Sequence, residues 1–594
     1  MKWRSLTLSV LILCSFTYSA LAQISPVEKA AAESINPAWL SAHMRFLSDD
    51  LLEGRAPGTR GDEVARQYIA AQYALLGLQP AAADGSYFQR FDILGITSEV
   101  PKTMTVTGAG GKSVSLNFYD EFIAFAGTQD SVSKVENAEI VFVGYGILAP
   151  EQKWDDYKNV DVRGKILLMM NNDPSSDPKL FEGNRRLYYG RWTYKYEIAA
   201  QKGAAGAIVI HTVPSAGYPF QVVQTSWTGE QYEVPAGDGP SVQLKSWTTE
   251  DATRKIVALA GKDLDALRTA AEKRSFKPVP LGVTLSLSFK NKIRRLQTAN
   301  VLGLLPGSDA NLNKEVVVYS AHHDHLGIGT AVNGDSIYNG AVDNASGVAA
   351  LLSVANAFTK LSEKPKRSIL FAAVAAEESG LLGSQYFCEH PPIAPKYLAA
   401  NVNIDGINIW GKTRDIGFIG LGKSSLDKVV VDLAKSQNRV VKGDQLPDRG
   451  FFYRSDQFNF AKIGVPAVYF DAGTDFEGRP AGWGMEQIEK WERTNYHQPS
   501  DEFPTPGGSS DTDYLDETQS TDYVGIAGGA VKRYDGFRDK FQDEFSAPWD
   551  FSGAVLDAQL QFLVGLKVAN AATMPTWNPG DEFEAARKKA LAEK

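Results

Sequence analysis

The sequence predicts an α/β protein: a mixed, mostly parallel sheet flanked by helices, with a β-rich segment inserted into it. Three observations carry this reading. After Leu296, short apolar runs alternate with helical patterns, the order that folds as strands joined by covering helices. From about Lys102 to Phe289 the texture changes to alternating β-type runs separated by Gly, Pro and Asp turns, the mark of a separate inserted unit. Finally, residues that carry chemistry stand at the ends of the apolar runs, where open α/β sheets hold their ligands.

In chain order, Ser41–Leu52 and Gly61–Leu76 place apolar residues at helical spacing, with Ala56-Pro-Gly58 breaking between them and Gly77 stopping the second. Glu139–Val143 and Lys165–Met170 are strands of the inserted unit. Beyond it, Ala299–Leu305 and Val316–Tyr319 read as strands, Ser346–Phe358 as a helix capped by Asn344 or Ser346, and Ser368–Ala376 as a strand. A helical segment through Phe387, the strands Leu398–Ile404 and Val465–Phe470, and a closing helix Asp557–Asn570 complete the pattern. Phe503–Pro548, whose first part is rich in Asp, Gly, Ser and Thr, reads as a long loop or local insertion.

A chain of 594 residues exceeds one ordinary core and calls for two or more domains. The formal net charge of -9, with no long basic run, argues against nucleic acid or an anionic membrane surface as a partner. Met1-Lys-Trp-Arg4, the apolar Leu6–Phe16 and the small residues Ala20-Leu-Ala22 form the pattern of a secretory signal peptide over 1–22, too short for a transmembrane helix. No later stretch supplies the run of about 18 apolar residues that a span needs. The expectation is an exported protein, periplasmic or secreted. Once Cys14 is removed with the signal, Cys388 stands alone and no intramolecular disulfide can form.

The chemistry gathers in Ser320-Ala-His-His-Asp-His-Leu-Gly327 and Gly340-Ala-Val-Asp-Asn-Ala-Ser-Gly347. Three of the seven histidines fall within four residues, and His322 sits just past the end of a buried strand. Imidazole and carboxylate together suit Zn²⁺, and a carboxylate can bridge two such ions where imidazole cannot. Glu377-Glu378 and Asp405 follow two further apolar strands, and adjacent carboxylates there need a cation or a shared proton to stabilise them. His497, in Tyr496-His-Gln-Pro-Ser-Asp501, is a last candidate in a polar loop.

His322-x-Asp324, Asp343-Asn-Ala-Ser-Gly347, Glu377-Glu378, Asp405 and Tyr496-His497 resemble, in order and approximate spacing, the co-catalytic dizinc aminopeptidases, relatives of glutamate carboxypeptidase and the transferrin receptor. The resemblance implies two Zn²⁺ per chain, with His322 and Asp405 on one, Glu378 and His497 on the other, and Asp343 bridging. It implies Glu377 as general base and Asp324 as a carboxylate orienting a ligand. His323 and His325 match no ligand position and read as loop residues. Tyr453 lies near where some relatives place a tyrosine that stabilises the tetrahedral intermediate, and core packing is an equal reading. Gly144-Tyr-Gly146, Trp154-Asp-Asp-Tyr157, Asp161-Val-Arg-Gly-Lys165 and Lys195–Gly206 leading to Ala207–Ile210 resemble the protease-associated domain found inside many zinc exopeptidases. The implied division is a signal peptide over 1–22, the N-terminal part of the catalytic domain with the lead-in over 23–129, a protease-associated domain over 130–278, and the main catalytic part over 279–594.

What this implies is hydrolysis of the N-terminal peptide bond of peptide substrates. A carboxypeptidase or dipeptidase of the same family is the alternative, since sequence does not fix which peptide end is held. A glutaminyl cyclase or a non-catalytic binding protein ranks behind both: the first fits poorly with the inserted domain, and the second would be expected to have lost ligands.

Overall fold

The computed structural model describes residues 24–183, 185–237, 239–504 and 549–592. The signal-peptide stretch 1–22 and residues 505–548 of the expected long loop lie outside the described residues. Four parallel strands make the centre of the catalytic part, in the spatial order Ser368–Val374, Val316–His322, Leu398–Asn403, Ala467–Asp471. The first three are buried at every residue, as near-continuous apolar strands covered on both faces should be. Asp415–Ile419 adds antiparallel to Ala467–Asp471 at one side, and Val279–Leu305 adds antiparallel to Ser368–Val374 at the other.

Side chains alternate between two apolar layers with the strand period. Val317, Tyr319 and Ala321 face the helix Ser346–Thr359, while Val316 and Val318 share a second layer with Phe387 and Phe460. Ser346–Thr359 is buried from Ser346 to Phe358, apolar nearly all round because Pro37–Leu47 and Ser552–Asn570 cover its outer side. The mixed, mostly parallel sheet flanked by helices is therefore the observed fold class. No helix among the described residues is long and apolar enough to cross a membrane.

The inserted segment builds its own sheet, ordered Phe122–Ala126, Leu244–Thr249, Gly206–His211, Ile166–Met170, Val132–Phe142, with Val279–Leu305 at its edge. Helices Trp192–Gln201, Glu250–Leu259 and Leu264–Ala271 accompany these strands. Val279–Leu305 is one 27-residue strand serving both sheets: its first half pairs with Val132–Phe142, its second with Phe88–Glu99 and Ser368–Val374. The sequence reading recognised only Ala299–Leu305 of it, because Lys290–Arg295 interrupts the apolar alternation that Leu281, Val283, Leu285, Leu287 and Phe289 bury.

Smaller differences bear on the site. The strand expected to stop at Tyr319 continues to His322, so that this histidine is its last residue rather than a loop residue beyond it. The opening helix is Pro37–Leu47, and a short 3-10 segment Asp50–Arg55 takes up the rest of the expected Ser41–Leu52. Of the two expected caps, Asn344 acts: its Oδ1 accepts the N–H of Gly347 at 2.8 Å, whereas Ser346 Oγ donates back to Val342 O.

Candidate metal centre

The expected ligand side chains converge at the carboxyl ends of the central strands. His322 closes its strand. Ser368–Val374 runs on to Ala376, whose φ of +56° turns the chain so that Glu377 and Glu378 follow at the sheet edge. Asp405 comes two residues after Leu398–Asn403. Asp343 is carried by the turn Ala341–Ala345, entered through Gly340 at φ +56°, where a Cβ would lie 2.2 Å from Asp343 O and 2.4 Å from the His325 ring. Glycine is required there by both conformation and space.

Asp343 stands between two groups of donors. Its Oδ1 is 3.3 Å from His322 Nε2, which is also 3.1 Å from Asp405 Oδ1. Its Oδ2 is 3.3 Å from His497 Nε2, which is also 3.0 Å from Glu378 Oε2. One carboxylate thus offers one oxygen to each of two His–carboxylate pairs. On each side the facing atoms lie 3.0–3.3 Å apart, close to the edge of roughly 3.3–3.6 Å of a tetrahedron around a zinc with bonds of about 2.0–2.2 Å.

The electrostatics call for cations as well. Asp343, Glu377, Glu378 and Asp405 crowd a largely buried site whose directly paired groups are imidazoles, with the guanidinium groups of Arg191 and Arg454 at its wall. Although burial opposes it, the facing His322 and His497 hold the Asp343 carboxyl well below the usual range. Against the same burial, Asp405 and Glu377 push His322 up, and Glu378 and Asp343 push His497 up to about 10. Without a metal, the cluster draws protons onto its imidazoles. A divalent ion on each pair meets the same demand with charge that does not titrate. The donor set and its spacing fit two such ions.

Glu377 lines the same cavity as Asp343 and Asp405 without being paired to either imidazole among the described residues. Burial, then the neighbouring Glu378 and Asp405, raise its pKa well above the usual carboxylate value, with His322 acting the other way. Asp324 approaches His322 with its carboxylate as well as its main chain, Oδ1 lying 3.8 Å from His322 Nδ1. Its main-chain oxygen is what lies nearest His322 Nδ1, at 3.2 Å, while its carboxylate accepts the N–H groups of Glu377 at 3.0 Å and Glu378 at 3.4 Å. Asp324 therefore sets the backbone of the glutamate pair.

His323 and His325 are more than loop residues. His323 Nε2 lies 3.0 Å from Asp62 Oδ1 on the helix Arg60–Leu75, and His325 Nδ1 lies 2.7 Å from the free oxygen of Glu378. Tyr453 does not face the site: its hydroxyl donates to Glu582 Oε1 at 2.6 Å. Three supporting residues escaped the sequence reading. Buried Arg55 donates to the carbonyls of His323, Asn339 and Gly340, fastening both metal loops to the N-terminal segment. The Asp501 carboxylate accepts the N–H groups of Val342 and Asp343. Ser226 Oγ, from the inserted segment, is 2.7 Å from His497 Nδ1. Only Asp501 left a trace in sequence, as a neighbour of His497.

The residues that carry this centre lie in a stretch of the chain with known relatives. Residues 300–513 match Peptidase family M28. This M28 segment contains every expected ligand, and the family is the one that the sequence motifs resemble. Among curated proteins, aminopeptidase NAALADL1 of Rattus norvegicus is 36% identical over 114 residues, 18% of this chain and 14% of the relative. A glutamate carboxypeptidase 2 homolog of Caenorhabditis elegans is 24% identical over 410 residues, 59% of this chain and 47% of the relative. The chain spans less than half the length of these relatives. Among solved structures, an aminopeptidase from Aneurinibacillus sp. strain AM-1 is similar with a TM-score of 0.46 and 18% identity, covering 80% of this chain and 90% of that one.

Proposed function

We propose that the chain is an exported, zinc-dependent aminopeptidase that hydrolyses the N-terminal peptide bond of peptides, with two Zn²⁺ per chain. The observation that carries this reading is Asp343 presenting one oxygen to His322 and Asp405 and the other to His497 and Glu378. His322, Asp405 and Asp343 would hold one ion; Glu378, His497 and Asp343 the other. Zinc bound there would supply an acidified water and polarise the scissile carbonyl.

Within the protein, Glu377 is the base. It lines the cavity beside Asp343 and Asp405 without being paired to an imidazole, which leaves it to take a proton from water and return it to the leaving amine. Asp324 fixes the main chain of Glu377 and Glu378 together, so that one can ligate while the other moves a proton. The substrate side chain has an aromatic cavity beside Asp343 and Glu377, walled by Trp410, Phe451, Tyr469, Trp491 and Tyr496. The inserted segment, read as a protease-associated domain, borders Glu377 as well, through Tyr218, Arg191 and Trp192.

One observation favours the second reading, a carboxypeptidase or dipeptidase. Arg191 and Arg454 line the cavity that holds Glu377, Glu378 and His497, and among the described residues neither is paired with a carboxylate. Arg191 Nε is buried without a hydrogen-bond partner, and burial, then the nearby Arg454, lower its pKa to about 10. A buried guanidinium beside a half-buried one suits a carboxylate of the substrate.

A peptide panel blocked at one end at a time tests the assignment. Acetylating the amine should stop cleavage while amidating the carboxyl end leaves it. Cleavage that survives the first block and fails on the second transfers the assignment to the carboxypeptidase reading.

A further inference from the structure

We infer that the inserted segment completes one half of the metal centre, with Ser226 as the positioning residue for His497; this rests on the two-metal reading above. Ser226 ends the helix Phe220–Ser226, and its Oγ lies 2.7 Å from His497 Nδ1. The other ring nitrogen, Nε2, faces Glu378 Oε2 and Asp343 Oδ2. An imidazole that gives its Nε2 lone pair to a cation carries its hydrogen on Nδ1, and Ser226 Oγ is the acceptor for that hydrogen.

The same short helix holds the backbone of the His497 loop. Thr225 Oγ1 lies 3.1 Å from His497 O and 3.0 Å from Gln221 O, and Gln221 Nε2 donates to the side-chain Oε1 of Gln498 at 3.2 Å. His497 has φ +55°, a conformation that a residue with a Cβ keeps only where its surroundings enforce it. Ser226, Thr225 and Gln221 are such surroundings.

The two halves of the centre are therefore supported differently. His322 Nδ1 faces the main-chain oxygen of Asp324, within its own loop, at 3.2 Å. His497 depends on a side chain 271 residues away in the inserted segment. Moving that segment would loosen the Glu378–His497 side and leave the His322–Asp405 side intact. The inserted segment thus controls metal retention as well as bordering the cleft.

The test uses the full chain, freed of metal and titrated with zinc in a chelator buffer, with bound zinc per chain measured by elemental analysis. Wild type should fill two sites. Ser226→Ala should fill one as wild type does and the other only at about 10–100-fold higher free zinc, the usual loss on removing a ligand's outer partner. Ser226→Thr, which restores a hydroxyl, should recover most of that loss. The metal-free Ser226→Ala protein should melt where metal-free wild type does, since the hydroxyl acts on a ligand rather than on the core. Equal filling of both sites by Ser226→Ala, no recovery in Ser226→Thr, or a matching drop in metal-free stability overturns the inference. Wild type that binds fewer than two zinc ions overturns instead the two-metal reading beneath it, and the inference falls with it.

Discussion

The carboxylate of Asp501 accepts the backbone N–H of Asp343, with Oδ2 3.0 Å from the nitrogen. Its other oxygen accepts the N–H of Val342 at 2.9 Å, and its main-chain oxygen accepts that of Ala341. The turn presenting Asp343 is thus clamped by the loop that presents His497. Asp501→Ala strands two buried N–H groups, each worth about 1–3 kcal/mol when left without an acceptor. Chemical denaturation should show a loss of about 2–4 kcal/mol together with weaker zinc retention. Stability within about 0.5 kcal/mol of wild type would mean that the turn holds itself.

Gly347 makes a second, steric prediction. A Cβ there would lie 2.1 Å from Asn344 Oδ1 and 2.6 Å from Ile404 O, so Gly347→Ala must push apart the turn of Asp343 and the strand leading to Asp405. Overpacking of this kind costs about 1–3 kcal/mol. Both a lowered melting temperature and reduced zinc content are expected, because the displaced oxygens belong to the two ligand-bearing segments. Unchanged zinc binding would show that the two segments yield independently.

His43 gives a pH dependence remote from the metals. It packs in the core beside Tyr68, with Nδ1 2.8 Å from the hydroxyl, and burial lowers its pKa to about 4. Because the ordinary value is about 6.5, the folded protein binds fewer protons here than the unfolded chain between the two values. The contribution is fully present above about pH 6.5 and is lost as pH falls through about 4, by about 3 kcal/mol at most. The melting temperature of metal-free wild type should therefore fall more steeply across this window than that of His43→Gln. Parallel slopes would show that His43 is not held neutral.

Much of this was legible in sequence because ligands on α/β folds follow strand ends, and strand ends can be read from apolar runs. His322, Glu378 and Asp405 were found this way, and Asp343 and His497 joined them through their motifs. What supports them was not legible. Arg55 works on a carbonyl 268 residues away, Asp501 on an N–H 158 residues away, and Ser226 on a ring 271 residues away. A main-chain group that needs a partner leaves no mark on residue identity, so only the folded chain shows these pairings. The sequence predicts a loop residue at His325 for a related reason: nothing in its spacing says that its ring turns to Glu378. The long strand Val279–Leu305 was shortened because its polar middle pairs with Phe88–Glu99, far upstream.

In the proposed reaction Glu377 moves protons while its neighbour Glu378 holds metal, and zinc content measured beside kcat in Glu377→Gln and Glu378→Gln separates the two roles. General acid–base catalysis contributes about 10²–10⁴-fold, so Glu377→Gln should lose at least that much turnover while keeping both zinc ions. Glu378→Gln should lose zinc together with rate, and added zinc should restore part of both. If Glu377→Gln empties a metal site while Glu378→Gln keeps two ions, the roles of the two carboxylates are reversed and the proposed chemistry is contradicted.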